Sequence, residues 1–215
     1  MAVVTSSCTT FPATTHTENA LQEGGKYRNA KPRQSLGAAK TAKVLWNFAT
    51  GKDADTVPRA PIPVHPVLRI PEGNPTLIKQ VMEIGATTLL VPMVESAEQA
   101  RELVRAMRYP PHGVRGVGGG LTRATRWDAV PDYIRTAHEQ LCLIVQIESP
   151  RGVANATEIA AVEGVDAVFI GPADLSTGMG HAGDAGQGEV QDAIRRTVQA
   201  TLAAGKACGI LAPRE

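Results

Sequence analysis

The stretch CLIVQIESPRGVANATEIAAVEGVDAVFIGPADL, residues 142–175, decides the reading of the chain. It opens on Cys142–Ile147, a continuous apolar run of the kind found in strands buried on both faces. Val153 to Val162 follow with helical spacing, and Val165–Ile170 form a second apolar run. Strand, helix and strand in that order imply a right-handed crossover and a parallel sheet.

The alternation continues outward. Upstream, Pro63–Ile70 reads as a strand ended by Pro71. Asn74-Pro75 supplies an N-cap and a first helical residue, and the helix it starts stops at Gly85. Thr87–Met93 is a further strand, and Ser96 with Gln99 makes a capping-box pattern for a helix running to Met107. Pro110-Pro111 breaks that helix, a Gly-rich loop covers residues 113–127, and Pro131 to Gln140 is helical. Downstream, residues 171–188 read as a long loop, Glu189–Ala204 as a helix stopped by Gly205, and Ala207–Leu211 as a strand. The expected class is therefore α/β with five recognisable strands. A closed (β/α)8 barrel needs eight strands and about 250 residues; periodicity alone leaves part of a barrel and an open sheet as alternatives.

Before residue 57 the composition shifts to Ser, Thr, Lys and Ala, and the one compact apolar run is Val44–Ala49. We expect a poorly ordered leader over 1–56 and the α/β unit over 57–215. The 22 basic and 21 acidic residues leave no net field to attract nucleic acid or an anionic membrane. No run reaches the ~18 apolar residues of a membrane span. Met1 to Thr17 lacks the basic and apolar regions of a secretory signal, so a cytoplasmic location is expected. Cys8, Cys142 and Cys208 are too scattered for a disulfide framework or a zinc site.

In parallel α/β folds, reactive groups collect at the carboxyl ends of the strands. Arg69, Gln146, Glu148 and Asp174 all fall there. Two carboxylates with an amide and a guanidinium suit a hard divalent cation, although a strand-end acid also serves as an ordinary helix cap. Gly116-Val-Gly118-Gly-Gly120 follows no apolar strand and opens no helix, which excludes a dinucleotide fingerprint. Arg115, Arg123, Arg126 and Trp127 lack the surrounding positive charge of a nucleic-acid surface.

The motifs VLRIPEGNP (67–75), TTLLVPMVESAEQAR (87–101), RYPPHGVRGVG (108–118), ATRW (124–127), VQIES (145–149) and VFIGPADLSTGMGHAG (168–183) closely resemble the HpcH/HpaI aldolases, in particular their 4-hydroxy-2-oxoheptanedioate aldolases. The resemblance covers about Pro63 to Leu211. It implies a (β/α)8 barrel of TIM type and class II chemistry with Mg2+, Mn2+ or Co2+, in which a 4-hydroxy-2-oxo acid is cleaved to pyruvate and an aldehyde. It further implies Glu148 and Asp174 as metal carboxylates and Arg69 as the residue that steadies the enolate oxygen. Gln146 becomes a pocket residue, and the Ala173 and Asp174 amides a cradle for the substrate carboxylate. Leu211 becomes a pocket wall that affects aldehyde choice. Glu83 takes the place of a carboxylate acting across a subunit boundary, and a homo-oligomer is expected.

The sequence departs from the family in lacking the Asp-Gly-Glu-His segment and the strands that normally precede the arginine strand. It also lacks the helix and final strand that follow GIL. Both termini are therefore expected to be incomplete, with reduced turnover or a non-catalytic remnant as the alternative. A citrate-lyase-type enzyme acting on acyl-CoA is the other alternative. His16, His65, His112, His138 and His181 read as loop or surface residues, His181 having the most suggestive neighbourhood. A Schiff-base route is not expected, since Lys79 lies in a helix and Lys206 precedes its strand.

Overall fold

The computed structural model describes residues 66–211. The leader, Cys8, His16, the 44–49 run and Pro63–His65 of the first expected strand lie outside the described residues. Five strands alternate with helices: β1 (Val67–Arg69), α1 (Pro75–Glu83), β2 (Thr88–Val91), α2 (Ala97–Met107), α3 (Tyr133–Thr136), β3 (Cys142–Ile147), α4 (Pro150–Ala154), α5 (Ala156–Ala160), β4 (Ala167–Ile170), α6 (Pro172–Gly178), α7 (Gly188–Ala203) and β5 (Ala207–Ile210).

All neighbouring strands pair in parallel, in the unbroken order β1-β2-β3-β4-β5. An open doubly wound sheet reverses its strand order at a switch point. This sheet has no reversal, as in a barrel, where each strand lies beside its successor. The fold is thus of TIM-barrel type, with five strands among the described residues.

Register divides the sheet into two faces. Leu89, Leu143, Val145, Ile147, Val168 and Ile170 point to one side; the first five are buried in one cluster with Ile78 and Met82 of α1, Ala100, Leu103 and Met107 of α2 and residues of α5, and Ile170 in a second with Leu175 of α6 and Val190, Ala193 and Ile194 of α7. The other row carries Arg69, Leu90, Ile144 and Phe169, all less buried, together with Gln146. Because side chains alternate along a strand, the candidate residues Arg69 and Gln146 fall on the face away from the helices.

Local chemistry explains most element boundaries. The Asn74 side chain accepts from Thr76 N at 2.9 Å and Leu77 N at 3.2 Å, with Pro75 as the first helical residue. Gly85 ends that helix region at φ +105°, a conformation that disfavours any side chain.

Three expectations are corrected. The helix expected at Val153–Val162 is two short helices, beginning earlier at Pro150 behind the Ser149 cap and broken at Asn155. The Asn155 side chain is drawn away to donate to the Glu95 carbonyl at 2.7 Å. The 171–188 loop starts instead with α6, because Pro172 at a first helical position favours a helix despite the flanking glycines. The 131–140 helix reduces to α3 and a 3-10 turn, Ala137–Gln140.

The buried row is also the structure's weak point to truncation. Leu89 is fully buried and registers with Leu68 and Leu143 on its two neighbours. Leu89→Ala should lower the unfolding free energy by about 2–5 kcal/mol, read as a shift in the urea midpoint without a change in slope.

Candidate active site

The carboxyl ends of β1, β3, β4 and β5 bring Arg69, Gln146, Glu148, the Gly171–Asp174 turn and Leu211 to one rim. Glu148, one residue beyond β3, is 2% exposed. Its Oε1 accepts from the backbone N–H of Met93 at 3.0 Å, and its Oε2 accepts from the Gln146 amide. Met93 holds a left-handed backbone, φ +55°, in the loop after β2. The neighbouring Val94 N–H donates to Gln146 O at 3.1 Å, so β2 continues to follow β3 past its last ladder pair.

Burial is the main force on Glu148 and pushes its carboxyl above the usual carboxylate range. The Met93 N–H opposes this, the negative charge of Asp174 adds to it, and the Arg69 guanidinium opposes it. Residues from two other strand ends, Arg69 and Asp174, thus act on the Glu148 carboxyl, which groups the three at one rim. Arg69 and Asp174 themselves are exposed.

Gly171 makes room for this arrangement. A Cβ at that position would lie 2.9 Å from both Gln146 Nε2 and Glu148 Cβ, and nearer still to Glu148 Oε2. α6 begins immediately after, and its cap residue is that same glycine, which offers no side chain to the first helical N–H groups. The amides of Ala173 and Asp174 are thus uncapped. Leu211 directly follows β5, donates its N–H to Ile170 O at 3.2 Å and is half exposed at the same rim.

The site's donors fit a hard cation. Two carboxylates sit beside one another, one of them buried at a cost that a positive charge would offset. Gln146 Oε1 is buried without a hydrogen-bond partner. Among the described residues no group of three or more His, Cys, Asp or Glu side chains could hold a metal. The pair would therefore leave most coordination positions to water and substrate, as Mg2+ prefers.

Other singled-out residues lie elsewhere. Glu83 ends α1, just before β2 starts, and so sits at the opposite end of the sheet; its carboxylate pairs with Lys79 Nζ at 3.7 Å. Lys206 precedes β5 and donates to Val165 O at 2.7 Å, so it does not face the rim. His181 lies 3.5 Å from Glu189, and the His112 and His138 rings stand 5.3 Å apart. His65 is outside the described residues.

Sequence reasoning missed Met93, whose contribution is a backbone N–H with no side-chain signature, and the spatial role of Gly171. It also placed Gln99 differently. A capping box returns the side chain to the cap residue's own N–H, whereas Gln99 accepts from Glu95 N at 2.9 Å and donates to Met93 O at 3.1 Å.

The raised Glu148 pKa has a consequence for stability. A carboxyl whose folded pKa exceeds its unfolded value destabilises the fold while ionised, and that cost disappears as pH falls through the folded pKa. Glu148→Gln should therefore be more resistant to urea than the parent at neutral pH in chelator. The difference should shrink as pH falls through the Glu148 titration, since the parent then carries a neutral side chain too.

The family model for HpcH/HpaI aldolase/citrate lyase matches residues 52–214. A hydroxypyruvate/pyruvate aldolase of Delftia acidovorans is 78% identical over 179 residues, covering 79% of this chain and 66% of the relative. A 4-hydroxy-2-oxo-heptane-1,7-dioate aldolase of Shigella sonnei is 53% identical over 156 residues, covering 73% and 60%. The crystal structure of an HpcH/HpaI aldolase/citrate lyase family protein from Burkholderia cenocepacia is 39% identical, with a TM-score of 0.68 over 80% of this chain and 66% of that one. The chain spans less than two thirds of the length of the curated relatives it matches. With its sheet order and its motifs, this match makes the chain a member of the HpcH/HpaI aldolase/citrate lyase family.

Proposed function

We propose that the chain is a class II aldolase unit that makes and breaks the C3–C4 bond of 4-hydroxy-2-oxo acids. Pyruvate or hydroxypyruvate would be the keto-acid partner and an aldehyde the other. The carrying observation is the buried Glu148 carboxylate under the joint influence of Asp174 and Arg69 at the strand ends. The names of the relatives support the keto acids.

In this reading Glu148 and Asp174 hold Mg2+, Mn2+ or Co2+. A divalent cation there supplies Lewis-acid stabilisation of the negative charge that forms on the keto oxygen. Arg69 points a fixed, always-charged donor at the same oxygen. The uncapped Ala173 and Asp174 amides receive the substrate carboxylate, and the unpaired Gln146 Oε1 faces the keto acid. In the cleavage direction the C3–C4 electron pair passes into the enolate while the C4 hydroxyl gives its proton to solvent and becomes the aldehyde carbonyl; the enolate then takes a proton from solvent at C3 to give the keto acid. Leu211 borders the aldehyde side, where its half-exposed side chain sorts substrates by size rather than charge.

Homo-oligomer formation belongs to the same proposal, with Glu83 near a subunit boundary. Ile84, Val117, Leu121 and Trp127, all exposed and apolar, support it. Among the described residues no helix is long and apolar enough to cross a membrane.

The test follows pyruvate release from 4-hydroxy-2-oxoheptanedioate with Mn2+ or Mg2+, using lactate dehydrogenase as reporter. Release should disappear in excess EDTA and in Glu148→Ala. Arg69→Ala should lower kcat by about 10²–10³-fold with little change in KM, the effect of removing one donor to a developing oxyanion. Gly171→Ala should weaken metal binding, since its methyl group would displace the Glu148 and Gln146 side chains. Metal-independent release, or full turnover by Glu148→Ala, would sink the proposal.

A further inference from the structure

Glu95 lies in the β2–α2 loop, and three separate contacts tie it to the segment after Glu148. Its Oε1 accepts from the Ser149 hydroxyl at 2.7 Å, its carbonyl accepts from Asn155 Nδ2 at 2.7 Å, and its Oε2 lies 3.7 Å from Arg151 Nη1. Ser149 in turn accepts from Gly152 N at 3.1 Å as the cap of α4. From the first turn of α2, Gln99 brackets Met93 and Glu95 by bonding to the carbonyl of one and the N–H of the other.

Packing supports the same clamp independently. A Cβ on Gly152 would lie 2.9 Å from the Val94 carbonyl and 3.1 Å from the Ile147 side chain, so α4 and the β2–α2 loop are in direct backbone approach. Between these fixed points stands Met93, left-handed, whose N–H meets Glu148 Oε1. A loop free to shift by an ångström would lose that 3.0 Å bond.

We propose that Glu95 is a positioning residue for the Glu148 carboxylate, acting through Ser149 and the Met93 N–H. It fixes the loop so that Oε1 is occupied by the Met93 amide and Oε2 remains on the side of Gln146 and Gly171. This rests on the reading of Glu148 as a cation ligand. The Ser149 hydrogen bond carries the effect, because a solvent-exposed ion pair at the Arg151 distance contributes little. A partner that orients a metal carboxylate from behind is worth about 10- to 100-fold in metal affinity.

Mn2+ binding to the full 215-residue chain, measured by electron paramagnetic resonance of the free ion, reads this out without turnover. Glu95→Ala should weaken Mn2+ binding by about 10- to 100-fold while far-ultraviolet circular dichroism stays that of the parent. Glu95→Gln keeps an oxygen to accept from Ser149 and should bind within a few-fold of the parent. Ser149→Ala, which removes the hydroxyl that donates to Glu95 Oε1, should weaken binding in the same direction, and it decides the matter if Glu95→Ala does not fold. Parent-like affinity in Glu95→Ala, or in Ser149→Ala where that variant decides, overturns the proposal. So does a Glu95→Gln variant as weak as Glu95→Ala, which would assign the effect to charge. Glu148→Ala separates the two levels. If it loses Mn2+ while Glu95→Ala does not, only the positioning role falls; if it or the parent shows no Glu148-dependent binding, the ligand reading falls with it.

Discussion

Burying an ionised carboxylate at the end of a central strand costs free energy that nearby groups must offset, and the rim of this sheet is organised around that constraint. Glu148 follows β3, which is flanked by two neighbours on each side. Solvent reaches almost none of it. The Met93 N–H, the Gln146 amide and the Arg69 guanidinium favour its charge, while Asp174 opposes it. Gly171 exists as a glycine in this place because the carboxylate and Gln146 occupy the volume a side chain would need. Under the proposed function, a cation supplied from solution would resolve the remaining imbalance between buried Glu148 and the exposed Asp174 beside it.

The elements that position this rim were readable from local pattern. Asn74-Pro75, Ser96 and the apolar runs of β2 to β4 each carry their signal within a few residues, and the structure reproduces them to within one or two positions. Whether the strands form an open sheet or a barrel-type one depends on strand order, a property no single stretch encodes. The split at Asn155 and the start of α6 were obscured for a related reason. Asn155 stands at the break with its side chain bonded to the carbonyl of Glu95, sixty positions away, and Pro172 acts as a helix starter inside a glycine-rich segment that composition alone assigns to a loop.

The candidate site divides along the same line. Arg69, Gln146, Glu148 and Asp174 were found because strand ends can be located from periodicity, and the resemblance to the family then attached roles to them. Met93 was not found, because a backbone N–H is supplied by every residue except proline and only the left-handed turn aims this one. The network from Gln99 through Glu95 to Ser149 was likewise invisible, although each residue type is ordinary for a helix start.

The position of Leu211 has an evolutionary consequence. Gln146 on the central strand and Glu148 just past its end are buried with strands on both sides, where nearly any replacement disturbs packing and charge together. Leu211 stands one residue past β5, half exposed, on a strand whose residues are all only partly buried. Its identity can drift with little cost to folding, and under the proposed function the volume it would leave for an incoming aldehyde would change directly. On that reading, bond-making chemistry and substrate preference would be lodged in regions of different mutational tolerance. A lineage carrying this architecture could then trade one aldehyde for another by small steps at the sheet's margin, leaving the buried carboxylate untouched.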